Sequence, residues 1–247
     1  MTRSKLGSLG LCAVVLGMMA ISVASAQAVD DWLVLNAPGT VATLIEEPGG
    51  VLNLKVETTA EIEPSKLTLL TKLVGLKISV ACTALTTSGF FLKGEGKLSE
   101  GGKVKFTGCT VEGGGKCTVK SPGAATGTIE TEELKGEIVL HELPGFVKDV
   151  FLKLLSKLFG GGLVPFRFEG DECVLPESAK ITGSLFLRDC EGFATTHKVR
   201  HLLVQSPLTE LSVGADTAEH LETSIDGSIW VKLIGSHAGD AWSAMTP

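Results

Sequence analysis

Histidines, serines, carboxylates and cysteines are the side chains of this 247-residue chain that could do chemistry. His197 and His201 stand four apart, which points both to one face of a strand or a helix. Such a pair could hold a metal ion, but Lys198 and Arg200 lie between them, no acidic residue joins the motif and no H-E-x-x-H occurs. The competing reading is the polar face of a late strand. Gly235-Ser236-His237 sets a serine beside a histidine. On an extended chain such neighbours point to opposite faces, a poor geometry for a base to reach its nucleophile. Neither G-x-S-x-G nor S-x-x-K is present. Carboxylates cluster loosely at Glu130, Glu132, Glu133, Glu169, Asp171 and Glu172. Glu169 with Asp171 could serve glycoside hydrolysis, and Asp171-Glu172 could face calcium. An acidic chain offers such pairs at many places, however, and no calcium-binding loop or repeat accompanies these. Gly113-Gly114-Gly115-Lys116 lacks the rest of a phosphate loop and reads as a hairpin turn. These patterns nominate no catalytic residue and no cofactor.

The start of the chain carries a clearer signal. Arg3 and Lys5 precede an apolar run from Leu6 to Val23, which ends in Ala24-Ser25-Ala26. A positive end, an apolar run and small residues at the cut site are the marks of a secretory signal peptide. The run approaches the length of a spanning helix and could persist as an uncut anchor; the three small residues favour cutting. Cys12 lies inside the run rather than at its end, which argues against a lipoprotein signal. The mature chain is then residues 27–247, exported to the periplasm, the cell surface or the medium. Losing Arg3 and Lys5 leaves 20 basic against 28 acidic residues, a net charge of −8. That surface repels phosphate backbones, which excludes nucleic-acid binding. No later apolar stretch is long enough to span a bilayer. The chain has no Tyr, which weakens a lectin-type reading. Asn36 and Asn53 begin no glycosylation acceptor.

Cleavage leaves five cysteines, Cys82, Cys109, Cys117, Cys173 and Cys190, and an oxidising compartment makes disulfides their default state. Cys109 and Cys117 flank the three glycines and could face each other across a hairpin. Alternatively each reaches a different strand, with Cys82 or Cys173 as a partner. No C-x₂-C spacing suggests zinc.

The elements that would position these groups read mostly as short strands punctuated by Gly and Pro. They include Asp31–Leu35, Val41–Glu46, Val51–Val56, Lys103–Thr107, Cys117–Lys120, Leu163–Glu169, Ile181–Arg188, His197–Val204 and Ser224–Ile234. Leu67–Ala81 is a buried strand pair or begins with a helical turn. Residues 215–221 read as a short helix or loop. Residues 146–159 differ. Apolar side chains at Phe146, Val147, Val150, Phe151, Leu154, Leu155, Leu158 and Phe159 leave Leu152 as an outlier and mostly oppose Lys148, Asp149, Lys153, Ser156 and Lys157. That pattern predicts an amphipathic helix, opened by Pro144-Gly145 and stopped by Gly160-Gly161-Gly162. It would close its own core, or present Phe146, Val150, Leu154 and Leu158 to a ligand or partner.

Trp32, Val80-Ala81-Cys82, Val104-Lys105-Phe106-Thr107-Gly108-Cys109-Thr110-Val111, Cys117, Ile129-Glu130-Thr131, Leu134-Lys135-Gly136, Cys173 and Ile181-Thr182-Gly183 resemble a group of uncharacterised exported bacterial proteins. The resemblance implies export and a cysteine-stapled β-rich fold, and it carries no catalytic residue.

The expected fold is a single all-β domain over residues 27–247, an antiparallel sandwich or closed barrel with one inserted helix. The leading functional expectation is a non-enzymatic envelope or extracellular protein that works by binding or structure. The alternatives are a barrel-type carrier of a small apolar ligand, with the helix as lid, and a secreted hydrolase.

Overall fold

The computed structural model describes residues 31–35, 42–44, 54–59, 67–73, 76–141, 149–158, 161–188, 191–201, 212–214 and 221–245. The export segment, Phe146 and Cys190 lie outside them, as do residues 215–220. The described part is all-β, with one turn of 3₁₀-helix at Gly235–His237. Its strands in chain order are β1 (Asp31–Leu35), β2 (Ala42–Leu44), β3 (Leu54–Thr59), β4 (Leu67–Leu73), β5 (Leu76–Cys82), β6 (Ala84–Ser88), β7 (Phe91–Lys93), β8 (Lys97–Leu98), β9 (Lys103–Thr107), β10 (Thr110–Glu112) and β11 (Thr118–Lys120). There follow β12 (Ile129–Glu130), β13 (Leu134–His141), β14 (Asp149–Ser156), β15 (Val164–Glu169), β16 (Ser178–Thr182), β17 (Ser184–Arg188), β18 (Thr196–His201), β19 (Ser212–Gly214), β20 (Leu221–Asp226), β21 (Ser228–Ile234) and β22 (Trp242–Met245).

Pairing sorts them into four groups. One sheet has eight strands in the order β10-β5-β4-β20-β19-β16-β15-β11. A second runs β12-β9-β6 and a third β2-β1-β22. The remaining strands pair in the circuit β13-β14-β17-β18-β21-β3-β7-β8, which returns to β13 through one residue pair, Glu137 with Lys97. The chain passes from the eight-stranded sheet into the circuit at Gly183, between β16 and β17, and again at Gly227, between β20 and β21. Ile181–Arg188 and Ser224–Ile234, each continuous in the sequence reading, are therefore two strands apiece. Leu67–Ala81 is the antiparallel pair β4–β5, joined over seven residue pairs.

The helix expected over 146–159 is not formed: residues 149–156 are strand β14. It pairs with β13 over eight residues, from Leu134–Ser156 to His141–Asp149, and with β17 on its other edge. A short, largely apolar segment fits a helical stripe as well as a strand, and its periodicity alone does not separate the two. Leu154 and Ser156 are buried while Lys153 and Leu155, which alternate with them, are less so, a period of two. Leu152, the outlier of the helical stripe, falls on the Leu154 face of this strand. Two ladders of backbone hydrogen bonds outweigh a local helical preference. Of the proposed docking face, Leu154 is core, Leu158 is 67% exposed, and Val150 is placed only by its pairing with Leu140. Among the described residues this segment forms no helical lid.

Buried side chains from all four groups join in one cluster that includes Trp32, Ile78, Val80, Leu92, Val119, Phe166, Leu233 and Trp242. The β1–β22 pair docks through its two tryptophans. Trp32 Nε1 donates to the Lys97 carbonyl at 2.9 Å, and its ring lies 5.8 Å from that of Trp242. The Trp242 carbonyl accepts from the Ala194 amide at 3.2 Å and from His197 Nε2 at 2.7 Å.

Candidate functional site

The sequence-nominated groups do not converge. His197 is buried, with its ring 4.2 Å from that of Trp242. Its Nε2 must carry a proton to donate to the Trp242 carbonyl, so that nitrogen is committed to holding β22. His201 is placed by its backbone opposite Leu187. Among the described residues no group of three His, Cys, Asp or Glu is placed to hold a metal ion. His237 Nδ1 lies 3.0 Å from Asp240 Oδ2, and that contact closes the turn after β21. Four of the six carboxylates meet lysines: Glu130 with Lys103 (3.5 Å), Glu133 with Lys157 (2.9 Å), Glu169 with Lys120 (2.9 Å) and Glu172 with Lys116 (2.8 Å). The hydrogen bond and charge of Lys157 hold the Glu133 carboxyl below its ordinary value, and Glu133 raises Lys157 in return. Both are exposed, so the pair contributes little to stability.

The cysteines do converge, in two pairs. Cys82 bonds Cys109 and Cys117 bonds Cys173; Cys109 and Cys117 are not joined to each other. The three glycines between them do not turn a hairpin. They carry the chain from β10, which pairs with β5, to β11, which pairs with β15. Gly115 has φ +90°, and a Cβ there would overlap the Glu172 carbonyl oxygen. Glycine is what allows the backbone of this segment to lie directly on the loop that carries Cys173. Strands β10 and β11 are the two edges of the eight-stranded sheet, and each is held by only three residue pairs. The Cys82–Cys109 cystine therefore fastens edge strand β10 to β5, and Cys117–Cys173 ties the start of edge strand β11 to the loop that follows β15.

A polar cleft of about 400 Å³ lies beside this seam. Lys103 and Lys105 of β9 and Glu130 of β12 line it, with Glu132 and the small residues Gly123, Ala124 and Ala125. That volume falls within the roughly 300–1,000 Å³ typical of small-molecule sites. The loop from Ser121 to Thr128 forms one wall and is pinned at both ends. Ser121 is 3% exposed. Its Oγ accepts from the Glu130 amide at 2.9 Å and donates toward the Pro165 carbonyl at 2.7 Å. Gly127 donates to the Val119 carbonyl at 2.7 Å and accepts from the Cys109 amide at 2.9 Å. Both cystines thus bear on the cleft: Cys109 holds Gly127 directly, and Cys117 precedes β11, which leads into Ser121. Among the described residues Lys105 and Glu132 form no ion pair. The cleft presents both signs of charge and no aromatic side chain.

Sequence reading singled out Glu130 and Glu132 but missed Ser121, Lys103 and Lys105. Ser121-Pro122-Gly123 carries only a turn signal, and the Pro165 carbonyl that Ser121 reaches lies 44 positions away. Ser121→Ala is expected to cost about 1 kcal/mol, because it takes the partner from the half-buried Glu130 amide. Urea unfolding measures the loss, and faster hydrogen exchange at the Glu130 amide locates it.

Fold and site together define an all-β, doubly cystine-stapled protein with a braced polar cleft. Comparison with protein-family models, with curated proteins and with solved structures finds no match.

Proposed function

We propose that the mature chain works outside the cytoplasm as a non-catalytic binding protein, with the cleft at Lys103, Lys105, Glu130 and Glu132 as its recognition surface. The observation that carries this reading is the bracing: two cystines and a buried serine fix a loop of small residues that has little core of its own. A wall fixed before the partner arrives costs less to order on binding. The placement of both cystines at weak sheet edges suits an oxidising compartment, as does the signal-like segment 1–26. The finer architecture we read as a barrel-like circuit, β13-β14-β17-β18-β21-β3-β7-β8, with the other sheets packed on it. The balance of charge in the cleft suits a partner that carries both signs, in keeping with the exclusion of nucleic acid.

The test is a photo-crosslinking residue at Ala124, with the same residue at the exposed Leu76 as control, in the secreting cell. A discrete adduct outside the cytoplasm from Ala124 and none from Leu76 is the expected result. No adduct from Ala124, or equal adducts from both positions, would contradict the reading.

A further inference from the structure

A second cavity differs from the cleft in every respect that matters for recognition. It has a volume of about 90 Å³ and lies where three groups of strands meet. Val80 of β5 and Ile181 of β16 line it from the eight-stranded sheet, Ile129 of β12 from the small sheet, and Leu134 and Leu154 from the circuit. These side chains are all buried. The lining includes one hydroxyl, Thr131, whose Oγ1 already accepts from the Val104 amide at 2.9 Å. Val104, Phe106 and Leu185 line the cavity while remaining only half-buried.

A buried water needs two to four polar partners, and this space offers one hydroxyl at most, so it stays dry. A charged or strongly polar guest would lose its hydration without compensation. An apolar guest gains contacts with walls that otherwise face a void. Size then narrows the class. A cavity of roughly 150 Å³ accepts benzene, and this one is smaller. An acyl chain or a sterol does not fit.

We propose that this cavity is a binding site for one small apolar molecule, of the size of xenon or a short hydrocarbon. The proposal goes beyond the cleft reading and does not depend on it; the two sites share only Thr131.

Xenon is the probe, applied to the oxidised mature protein and followed by ¹²⁹Xe NMR. A saturable one-to-one shift is expected, weakened at least tenfold in Val104→Phe, which fills the space from a half-buried part of the wall. Val164→Ile adds a single methylene to the wall and serves should the larger substitution disturb the fold. Leu76→Phe, on the exposed end of β5, is expected to leave the shift unchanged. A crystal under xenon pressure should show the atom between Val80, Ile129 and Leu134. The proposal is overturned if the folded protein gives no saturable shift, if folded Val104→Phe or Val164→Ile binds as tightly as the parent, or if xenon lodges elsewhere.

Discussion

Replacing Cys117 and Cys173 together by alanine is expected to cost about 4 kcal/mol of stability, and replacing Cys82 with Cys109 about 3.5 kcal/mol. The figures come from the chain entropy that each cross-link removes from the unfolded state, for separations of 56 and 27 residues. The longer loop gives the larger loss. Both are large against a total stability of roughly 5–15 kcal/mol, so the protein lacking both cystines should be mostly unfolded at 37 °C. Urea unfolding of the oxidised parent and of each paired variant measures the two losses. Their position matters as much as their size. Strands β10 and β11 are each held by three residue pairs, so local opening should begin there. Hydrogen exchange at Thr118–Lys120 and Gly127 should accelerate in either variant before exchange at β13 and β14, whose ladder runs over eight pairs.

Trp242→Ala is expected to cost about 3–5 kcal/mol, the usual range for emptying a buried aromatic site. The indole is 2% exposed and is packed by the Trp32 and His197 rings. Its loss leaves a cavity between β1 and β22 on one side and β18 on the other. The backbone bonds of Trp242 to Ala194 and His197 survive the substitution in principle, so the loss is one of packing. Trp242→Phe separates the contributions. Among the described residues the buried indole Nε1 has no hydrogen-bond partner, so phenylalanine forfeits no bond to them and should cost markedly less than alanine. Thermal or urea unfolding of the two variants reads the difference. Equal losses would show that ring packing is not what holds β22.

Much of the all-β character is legible in the sequence, because Gly and Pro punctuate short stretches of alternating residues. Strand Lys103–Thr107 follows that pattern closely. Residues 149–156 do not, for a physical reason. Apolar residues stand on both faces of that strand, so its alternation of burial is not written as an alternation of residue type, and Phe151, Leu154, Leu155 and Leu158 satisfy a helical stripe by composition alone. The breaks at Gly183 and Gly227 are visible as glycines within strand-like runs, but a glycine does not tell which sheet the next strand joins. Cystine pairing was open for a similar reason. Cys109 and Cys117 are near in sequence, yet β10 and β11 lie at opposite ends of an eight-strand order that only the pairing of distant strands determines. The cleft is hidden for that reason too: its lysines, its glutamates and the anchor Ser121 come together through β9, β12 and β15. Of the histidines, His197 proved a core residue, and nothing in its spacing from His201 shows that Trp242 covers it.

The placement of the two cystines at the edges of the eight-stranded sheet is the claim on which the braced cleft rests. Peptide mapping by mass spectrometry of the secreted protein, alkylated and digested without reduction, tests it most directly. Peptides joining Cys82 to Cys109 and Cys117 to Cys173, with Cys190 carrying the alkyl label, are the expected result. A peptide joining Cys109 to Cys117, or free thiols at Cys82 and Cys173, would contradict it.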